Sequence, residues 1–246
     1  MHQFFVKPEQ IGEKYILIEG TDVNHIRNVL RMKEGEQITV CTGEDDCFYR
    51  CEIESFPEER VQAKIMWVEQ AGAELPSRIY LFQGLPKSDK MELIIQKAVE
   101  LGVWEIIPVA TKRAVVKLDA KKAESKQKRW QAISESAAKQ CKRQHIPRVA
   151  VPMSFSEALA CAAELEVKLI PYELAKGMEE TRELIDRIQP GQSVAVFIGP
   201  EGGFEEGEVQ EAMDAGVWPI TLGRRILRTE TAGMTVLSIL MYRLEQ

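Results

Sequence analysis

The chain has 246 residues, of which 45% are hydrophobic and 28% charged, a composition that excludes an intrinsically disordered protein. No apolar run approaches the roughly 20 residues of a membrane span, and the first residues lack the pattern of a signal peptide. Five cysteines without a C-x-x-C pair argue against structural zinc and disulfides. We therefore expect a cytoplasmic protein, long enough for two domains and without a metal site.

Positive charge is concentrated in one segment, although the net charge is −6. Residues 111–148 carry 12 basic and 3 acidic side chains, while the segments on both sides are acidic overall. One basic face on an acidic protein is expected where that face meets a phosphate backbone. A solvated, lysine-rich helix is the alternative interpretation. The first interpretation makes Arg113, Lys117, Lys142 and Arg143 candidate phosphate contacts.

Residues 1 to about 70 are predicted to form short strands separated by turns. The strands are expected at 4–6, 15–18, 37–41, 48–53 and 61–68, an arrangement that favours a small β-barrel. One helix is expected from Thr21 to about Arg31. Arg27 and Arg31 are four residues apart and would share a face of this helix, either as phosphate contacts or as solvated side chains.

Residues 70–76 are the best linker candidate, which divides the chain into domains at 1–72 and 73–246. Beyond the linker, predicted strands alternate with helices, which indicates an α/β domain with a parallel sheet. Strands are expected at 78–82, 105–109, 147–151, 167–170, 194–198 and 219–222. Capping pairs are expected at two helix starts, Asp89 with Glu92 and Ser154 with Glu157.

The last predicted helix, from Glu230 to about Leu244, is apolar on nearly every side. Such a helix has to be covered on more than one side. The core of its own subunit covers one side, and we expect a second copy of the chain to cover the other. The sequence therefore predicts a homodimer.

Two loops carry the most specific motifs. Ile198-Gly-Pro-Glu-Gly-Gly-Phe204 follows one predicted strand, and Leu222-Gly-Arg-Arg-Ile-Leu-Arg-Thr-Glu-Thr-Ala232 follows the next. Open α/β sheets bind ligands at such positions, and glycine permits close backbone approach. Neither loop is a P-loop or a dinucleotide fingerprint, and the acidic helix start at 205–208 would repel phosphate. A neutral or cationic ligand is favoured; ordinary strand-to-helix connections are the alternative.

These motifs resemble the SPOUT-class RNA methyltransferases, specifically the RsmE family, which methylates N3 of a uridine in small-subunit ribosomal RNA. Blocks at 25–31, 87–102, 113–117, 129–130 and 137–143 also resemble that family, in its order. The resemblance implies a PUA-like β-barrel RNA-binding domain followed by a SPOUT-type parallel sheet with a trefoil knot. It also implies S-adenosylmethionine as methyl donor, and small-subunit ribosomal RNA or the assembled subunit as partner.

The resemblance further implies which residues form the site. The donor would be held by backbone at Ile198, Gly199, Pro200, Gly203, Leu222, Gly223 and Leu227. Loss of the N3 proton needs either a base or fixed positive charge beside the developing anion. Arg228 suits the second role, because it stays charged and can bind a uridine carbonyl. Glu201 and Glu230 are candidate bases, and a favourable charge at a helix start is the alternative role for Glu230.

Three other functions are weighed against this one. The first is methylation of a ribose 2′-hydroxyl, which the Leu-Arg-Thr-Glu-Thr-Ala block disfavours. The second is RNA binding without catalysis, which would not require two glycine loops at strand ends. The third is a metabolic nucleotide-binding enzyme, which the basic segment and the β-rich domain disfavour.

Overall fold

A computed structural model of the chain describes residues 1–43, 47–70, 72, 74–116, 118–173, 175 and 177–245. The chain forms two compact units. The first comprises Met1–Glu74 together with Ala138–Ile146, and the second comprises Leu75–Ala137 together with Pro147–Gln246. The short segment 138–146 therefore belongs to the first unit, although it lies far beyond the linker expected at 70–76.

A five-stranded sheet with the order β1-β3-β4-β5-β2 organises the first unit. Its strands are β1 (His2–Phe5), β2 (Tyr15–Ile18), β3 (Gln37–Cys41), β4 (Cys47–Ser55) and β5 (Val61–Gln70). β1 pairs with β3 in parallel, and the other pairs are antiparallel. Ile16, Ile18 and Ile38 are among the alternating residues that enter a single apolar core. One face of the sheet is thus buried, which is common for antiparallel sheets.

The helix predicted over 21–31 is shorter and less regular in the structure. An α-helix, α1 (Thr21–Asn24), continues into a π-helix at His25–Val29. Arg31 lies beyond the last helical turn, with a φ of 54°. The prediction that Arg27 and Arg31 share a helix face is therefore wrong, because the π-helix changes the residue spacing and Arg31 has left the helix.

A seven-stranded parallel sheet forms the second unit, in the order β12-β10-β11-β6-β7-β8, with β9 also pairing with β7. The strands are β6 (Ile79–Gly84), β7 (Glu105–Ala110), β8 (Arg148–Val149), β9 (Met153–Ser154), β10 (Val167–Pro171), β11 (Val194–Ile198) and β12 (Trp218–Ile220). From β6 the chain moves to β7 on one side, while from β11 it moves to β12 on the other. Open α/β sheets bind ligands at the carboxyl ends of their strands, where the two motif loops follow β11 and β12.

Six helices accompany this sheet. They are α2 (Lys90–Glu100), α3 (Ala120–Cys141), α4 (Phe155–Cys161), α5 (Met178–Arg187), α6 (Glu206–Asp214) and α7 (Thr229–Leu244). The predicted capping pair Ser154 and Glu157 is confirmed, because the Ser154 hydroxyl accepts the Glu157 N–H while the Glu157 carboxylate accepts the Ser154 N–H. The corresponding prediction for Asp89 is wrong, since its side chain makes no capping hydrogen bond.

The core of the second unit places α7 close to the central strands. Phe82 of β6 and Phe197 of β11 stack with their ring centroids 4.5 Å apart. α7 packs against α2, β11 and α5, and buries Val236, Leu237 and Leu240. Central strands with no polar alternation are thus covered on both faces, as the sequence predicts.

Candidate functional site

A cavity of about 460 Å³ lies at the carboxyl ends of β11 and β12, entirely within the second unit. Its size is that of a small-molecule site. Its walls are formed by residues 198–204, 221–223 and 225–229, with Lys90, Arg113, Pro171, Tyr172, Glu173 and Ala232. The two loops predicted to form one site therefore line the same cavity.

Glycine allows the first loop to lie directly against the neighbouring strand. A Cβ at Gly84, the last residue of β6, would lie only 2.6 Å from Cδ of Pro200. At Gly199, a Cβ would lie 3.0 Å from the backbone of Gly203. The loop is therefore compact, and backbone rather than side chains forms much of this wall.

A buried hydrogen-bond network fixes the base of the cavity. The hydroxyl of Thr229 donates to the carbonyl oxygen of Gly199 at 2.6 Å and accepts from Nε2 of Gln83 at 2.9 Å. Gln83 is completely buried. These bonds join β6, the loop after β11 and the first turn of α7. Neither Gln83 nor Thr229 is a site residue predicted from the sequence, although an amide at the end of the apolar run of β6 is a usable signal.

Three charged side chains meet beside the cavity. The ammonium of Lys90 lies 3.0 Å from a carboxylate oxygen of Glu201 and 3.5 Å from one of Glu230. Burial alone raises the pKa of Glu201, but hydrogen bonds from backbone N–H groups and from Lys90 outweigh it and hold this pKa below its ordinary value. The bond to Glu201 likewise raises the pKa of Lys90. Glu201 and Lys90 line the cavity. Glu230 is not part of the wall and is linked to it through its ion pair with Lys90.

Cationic side chains surround the cavity mouth. Arg228 is the residue immediately before α7, and none of the described residues accepts a hydrogen bond from its guanidinium. A cation gains nothing from the dipole at a helix start, so helix stability does not explain its position. Arg224 and Arg225 are exposed on the same loop, and the side chain of Ile226 between Arg225 and Arg228 is 85% exposed. Neither Arg224 nor Arg225 is among the site residues predicted from the sequence.

Arg113, predicted as a phosphate contact, lies on the cavity wall. Its Nη1 donates to the carbonyl oxygen of Gly202 at 3.0 Å. The preceding residue, Lys112, donates its N–H to the carboxylate of Glu208, which is 2% exposed. The other oxygen of Glu208 accepts the N–H of Glu205. Glu208 thus ties the segment that carries Arg113 to the start of α6.

The prediction that Arg143 contacts phosphate is wrong. It is 4% exposed, and its guanidinium pairs with the Glu74 carboxylate, Nε lying 3.1 Å from one oxygen. That carboxylate also accepts the backbone N–H groups of Gln144 and His145. A buried, paired guanidinium is part of the first unit's structure and is not available to RNA.

The remaining predicted cations have different surroundings. Arg27 donates to the carbonyl oxygen of Arg60 at 2.9 Å and lies over the ring of Phe56. Arg31 and Lys142 are exposed. Lys117 lies outside the described residues.

Within the part of the chain that the structure describes, no helix is long and apolar enough to cross a membrane. Among the same residues, no group of three or more His, Cys, Asp or Glu side chains is placed to hold a metal ion.

The chain resembles known proteins over its whole length. Residues 73–241 match the RNA methyltransferase domain family, and residues 18–66 match the RNA methyltransferase PUA domain.

Ribosomal RNA small subunit methyltransferase E of Bacillus subtilis is 38% identical, over 100% of this chain and 98% of that protein. Among solved structures, a Legionella pneumophila methyltransferase in complex with the cofactor SAM is 34% identical, with a TM-score of 0.86 over 98% of this chain and 96% of that one. The Neisseria gonorrhoeae ribosomal RNA small subunit methyltransferase E bound to S-adenosyl methionine is 31% identical, with a TM-score of 0.85 over 98% and 97%. The chain therefore belongs to the RNA methyltransferase family, and within it to the ribosomal RNA small subunit methyltransferase E proteins.

Proposed function

We propose that this protein transfers a methyl group from S-adenosylmethionine to N3 of a uridine in small-subunit ribosomal RNA. The observation that carries the proposal is the joining of the two motif loops around one cavity next to Arg228. The family membership specifies the type of reaction and the RNA. The uridine and its N3 atom follow from the family resemblance.

The cavity fits the proposed methyl donor. All seven residues assigned to it line the wall: Ile198, Gly199, Pro200, Gly203, Leu222, Gly223 and Leu227. When bound, the donor supplies an electrophilic methyl group on a cationic sulfonium. A wall that contains several glycines leaves room for its adenosine part.

Arg228 is proposed to make N3 reactive. The N3–H of uridine is a weak acid, and the nitrogen attacks only after its proton leaves. A guanidinium beside the base stabilises the negative charge that develops on N3 and its adjacent carbonyls, because it remains charged and offers paired donors. Glu201 and Glu230 remain the candidates for a base, although the lowered pKa of Glu201 makes it a weak one.

The cationic loop at the mouth is proposed to receive the RNA. N3 lies on the Watson–Crick edge of uridine, so the target base has to leave any helix before it reaches the cavity. Arg224 and Arg225 are placed to bind phosphates beside the target, and the exposed side chain of Ile226 is placed to occupy the space that the base vacates. Arg113 is proposed to act at the same mouth.

The first domain, 1–72, is proposed to bind RNA, and residues 73–246 to carry out the reaction. Arg27, Arg31 and Lys142 are the proposed phosphate contacts of the first unit, with Lys117 retained as a proposal from sequence. We also propose that the first sheet closes as a PUA-like β-barrel. Cytoplasmic localisation is proposed as well, in keeping with five free cysteines.

Two further proposals concern α7. The helix carries an exposed apolar surface that includes Ile239 and Tyr242, the latter 86% exposed. A second copy of the chain covering this surface would explain it, so we propose a homodimer. We also propose that the carboxyl-terminal segment forms a trefoil knot, since the first turn of α7 is bonded to the loop after β11 through Thr229.

The test is methyl transfer from labelled S-adenosylmethionine to small-subunit ribosomal RNA, as naked RNA and as assembled subunits. Digestion of the product to nucleosides should yield N3-methyluridine. Label on a ribose 2′-hydroxyl would replace the proposal with the alternative methylation site. Donor binding without transfer to either substrate would overturn the proposed RNA.

A further inference from the structure

The ammonium of Lys90 joins three segments that are distant in sequence. Lys90 is the first residue of α2, Glu201 belongs to the loop after β11, and Glu230 lies in the first turn of α7. Its Nζ lies 3.0 Å from Glu201 Oε1 and 3.5 Å from Glu230 Oε2. Both carboxylates therefore share one cation. This also explains a lysine at a helix start, where the helix dipole gives it no stabilisation.

The chain before α2 is arranged around the same carboxylate. The N–H of Lys87 donates to both oxygens of Glu201, at 3.2 and 3.3 Å. Ser88 adopts a φ of 57°, which L-residues rarely take. Glu201 is therefore held from two directions, by the backbone before α2 and by the side chain of Lys90.

This arrangement bears on which groups can accept a proton. A general base works best when its pKa is near the operating pH. A carboxylate bound to an ammonium and to backbone N–H groups is stabilised as the anion and is a poor base. Lys90 thus helps to hold Glu201 in the ionised form, while Arg228 next to Thr229 has no carboxylate partner among the described residues.

We propose that Lys90 is a positioning residue for methyl transfer, which pairs with the carboxylates of Glu201 and Glu230 and so aligns the first loop with the start of α7 that carries Arg228. The inference rests on the proposed function of the cavity. It assigns to Lys90 an effect on turnover that is exerted through other residues. Lys90 itself is not proposed to exchange a proton with the substrate.

Three variants of the full-length protein test the proposal. Lys90→Met removes the charge and keeps the length of the side chain, while Lys90→Arg keeps the charge. Lys97→Met is the matched control, since Lys97 lies on the same helix, pairs with Glu100 and does not line the cavity. The ionisable neighbours of Lys90 are unchanged in all three variants. In the sequence they are Lys87, Asp89 and Glu92. On the cavity wall they are Arg113, Glu173, Arg225 and Arg228.

The first measurement needs neither donor nor RNA. Carboxyl carbon NMR of glutamate-labelled protein, with Glu201→Gln used for assignment, gives the titration of Glu201. Lys90→Met should raise the pKa of Glu201 by about one unit or more, because an opposite charge at this distance shifts a carboxyl by that amount. Lys90→Arg and Lys97→Met should leave it near the wild-type value. An unchanged titration in Lys90→Met would overturn the electrostatic part of the inference even if the cavity proves to have another function.

The second measurement is the pH dependence of methyl transfer. Lys90→Met should lower kcat more than it changes the KM for donor, and should move the acid side of the pH profile to higher pH. Lys90→Arg should recover turnover and the wild-type profile. Equal losses in Lys90→Met and Lys90→Arg, or a wild-type profile in Lys90→Met, would overturn the positioning role. An inactive wild-type protein with the expected titration shift would count against the proposed function instead.

Discussion

The hydroxyl of Thr229 donates to the carbonyl oxygen of Gly199 at 2.6 Å and so attaches the first turn of α7 to the loop after β11. The same hydroxyl accepts from the buried amide of Gln83. One side chain thus fixes the relative position of the two loops that line the cavity.

Thr229→Val should weaken donor binding and lower stability. Valine has nearly the same shape, but it removes the donor to the Gly199 carbonyl and leaves one N–H of the buried Gln83 amide without an acceptor, which costs about 1–3 kcal/mol. Donor affinity by calorimetry and the unfolding midpoint should both fall. Thr229→Ser keeps the hydroxyl and serves as control. Wild-type affinity in the valine variant would show that this bond does not shape the donor site.

Arg228→Ala should reduce turnover about a hundredfold or more while leaving donor binding and stability unchanged. The guanidinium is exposed and unpaired within the described structure, so its loss removes charge stabilisation from the reaction and little else. Methyl-transfer rates and donor affinity would be measured side by side. Arg187→Ala on α5 is the control. Wild-type turnover in Arg228→Ala would refute the assigned role.

Glu201 should make stability depend on pH in a defined direction. The pKa of Glu201 is lowered in the folded protein. The ionised carboxylate therefore stabilises the fold at pH values above its ordinary pKa of 4.5, and this contribution is lost as the pH falls through the lower pKa of the folded state. Glu201→Gln should therefore lower stability at pH 7, by less than about 1 kcal/mol because the side chain is partly exposed. Urea unfolding of both proteins between pH 7 and pH 4 should show the difference shrinking. A difference independent of pH would contradict this assignment.

The proposed dimer predicts opposite results for neighbouring residues of α7. Ile239→Asp and Tyr242→Asp should give a monomer that is still folded, because both side chains are exposed in the single subunit. Leu240→Ala should instead destabilise the subunit by about 2–5 kcal/mol, since Leu240 is fully buried. Sedimentation and thermal unfolding would be measured together. A wild-type protein that sediments as a monomer at micromolar concentration would refute the dimer.

RNA affinity should fall steeply with salt, at roughly 0.7–0.9 in log–log slope for each phosphate contact. Replacing Arg224, Arg31 and Lys142, none of which lines the cavity, with glutamine should flatten this slope without changing donor affinity. Replacing Lys97 and Arg187 should not. Arg143→Met should lower stability and leave the slope unchanged, because Arg143 is buried against Glu74. An identical slope in every variant would place the RNA surface elsewhere.

The sequence predicts the central strands and the loops of the site because both depend on local pattern. Val194–Ile198 is an uninterrupted apolar run that stops at a glycine, and this suffices to identify a buried strand and a ligand loop. Parallel strands then bring the loop ends to one edge of the sheet. The cavity residues follow from these two facts and from the family resemblance.

Other features depend on tertiary partners that local pattern does not specify. Arg143 has the composition of a surface residue, and only its pairing with Glu74 shows that it is buried. Lys90 is predicted simply as a cation at a helix start, because its two carboxylate partners come from distant loops. The π-helix at His25–Val29 has no signal that distinguishes it from an ordinary helix. Gln83 was accessible to sequence reasoning, since an amide in a buried strand requires a partner.

The membership of residues 138–146 in the first unit affects how the protein is made. A ribosome that has released Met1–Glu74 has not yet supplied Arg143, Gln144 and His145, the donors to the Glu74 carboxylate. Domains usually complete folding in the order of synthesis, amino-terminal first. Here the first unit is completed only after β6, α2, β7 and all of α3 have been translated. A fragment that ends at the linker would carry an acceptor without its donors, so expression of the first unit alone requires residues 138–146 to be joined to it.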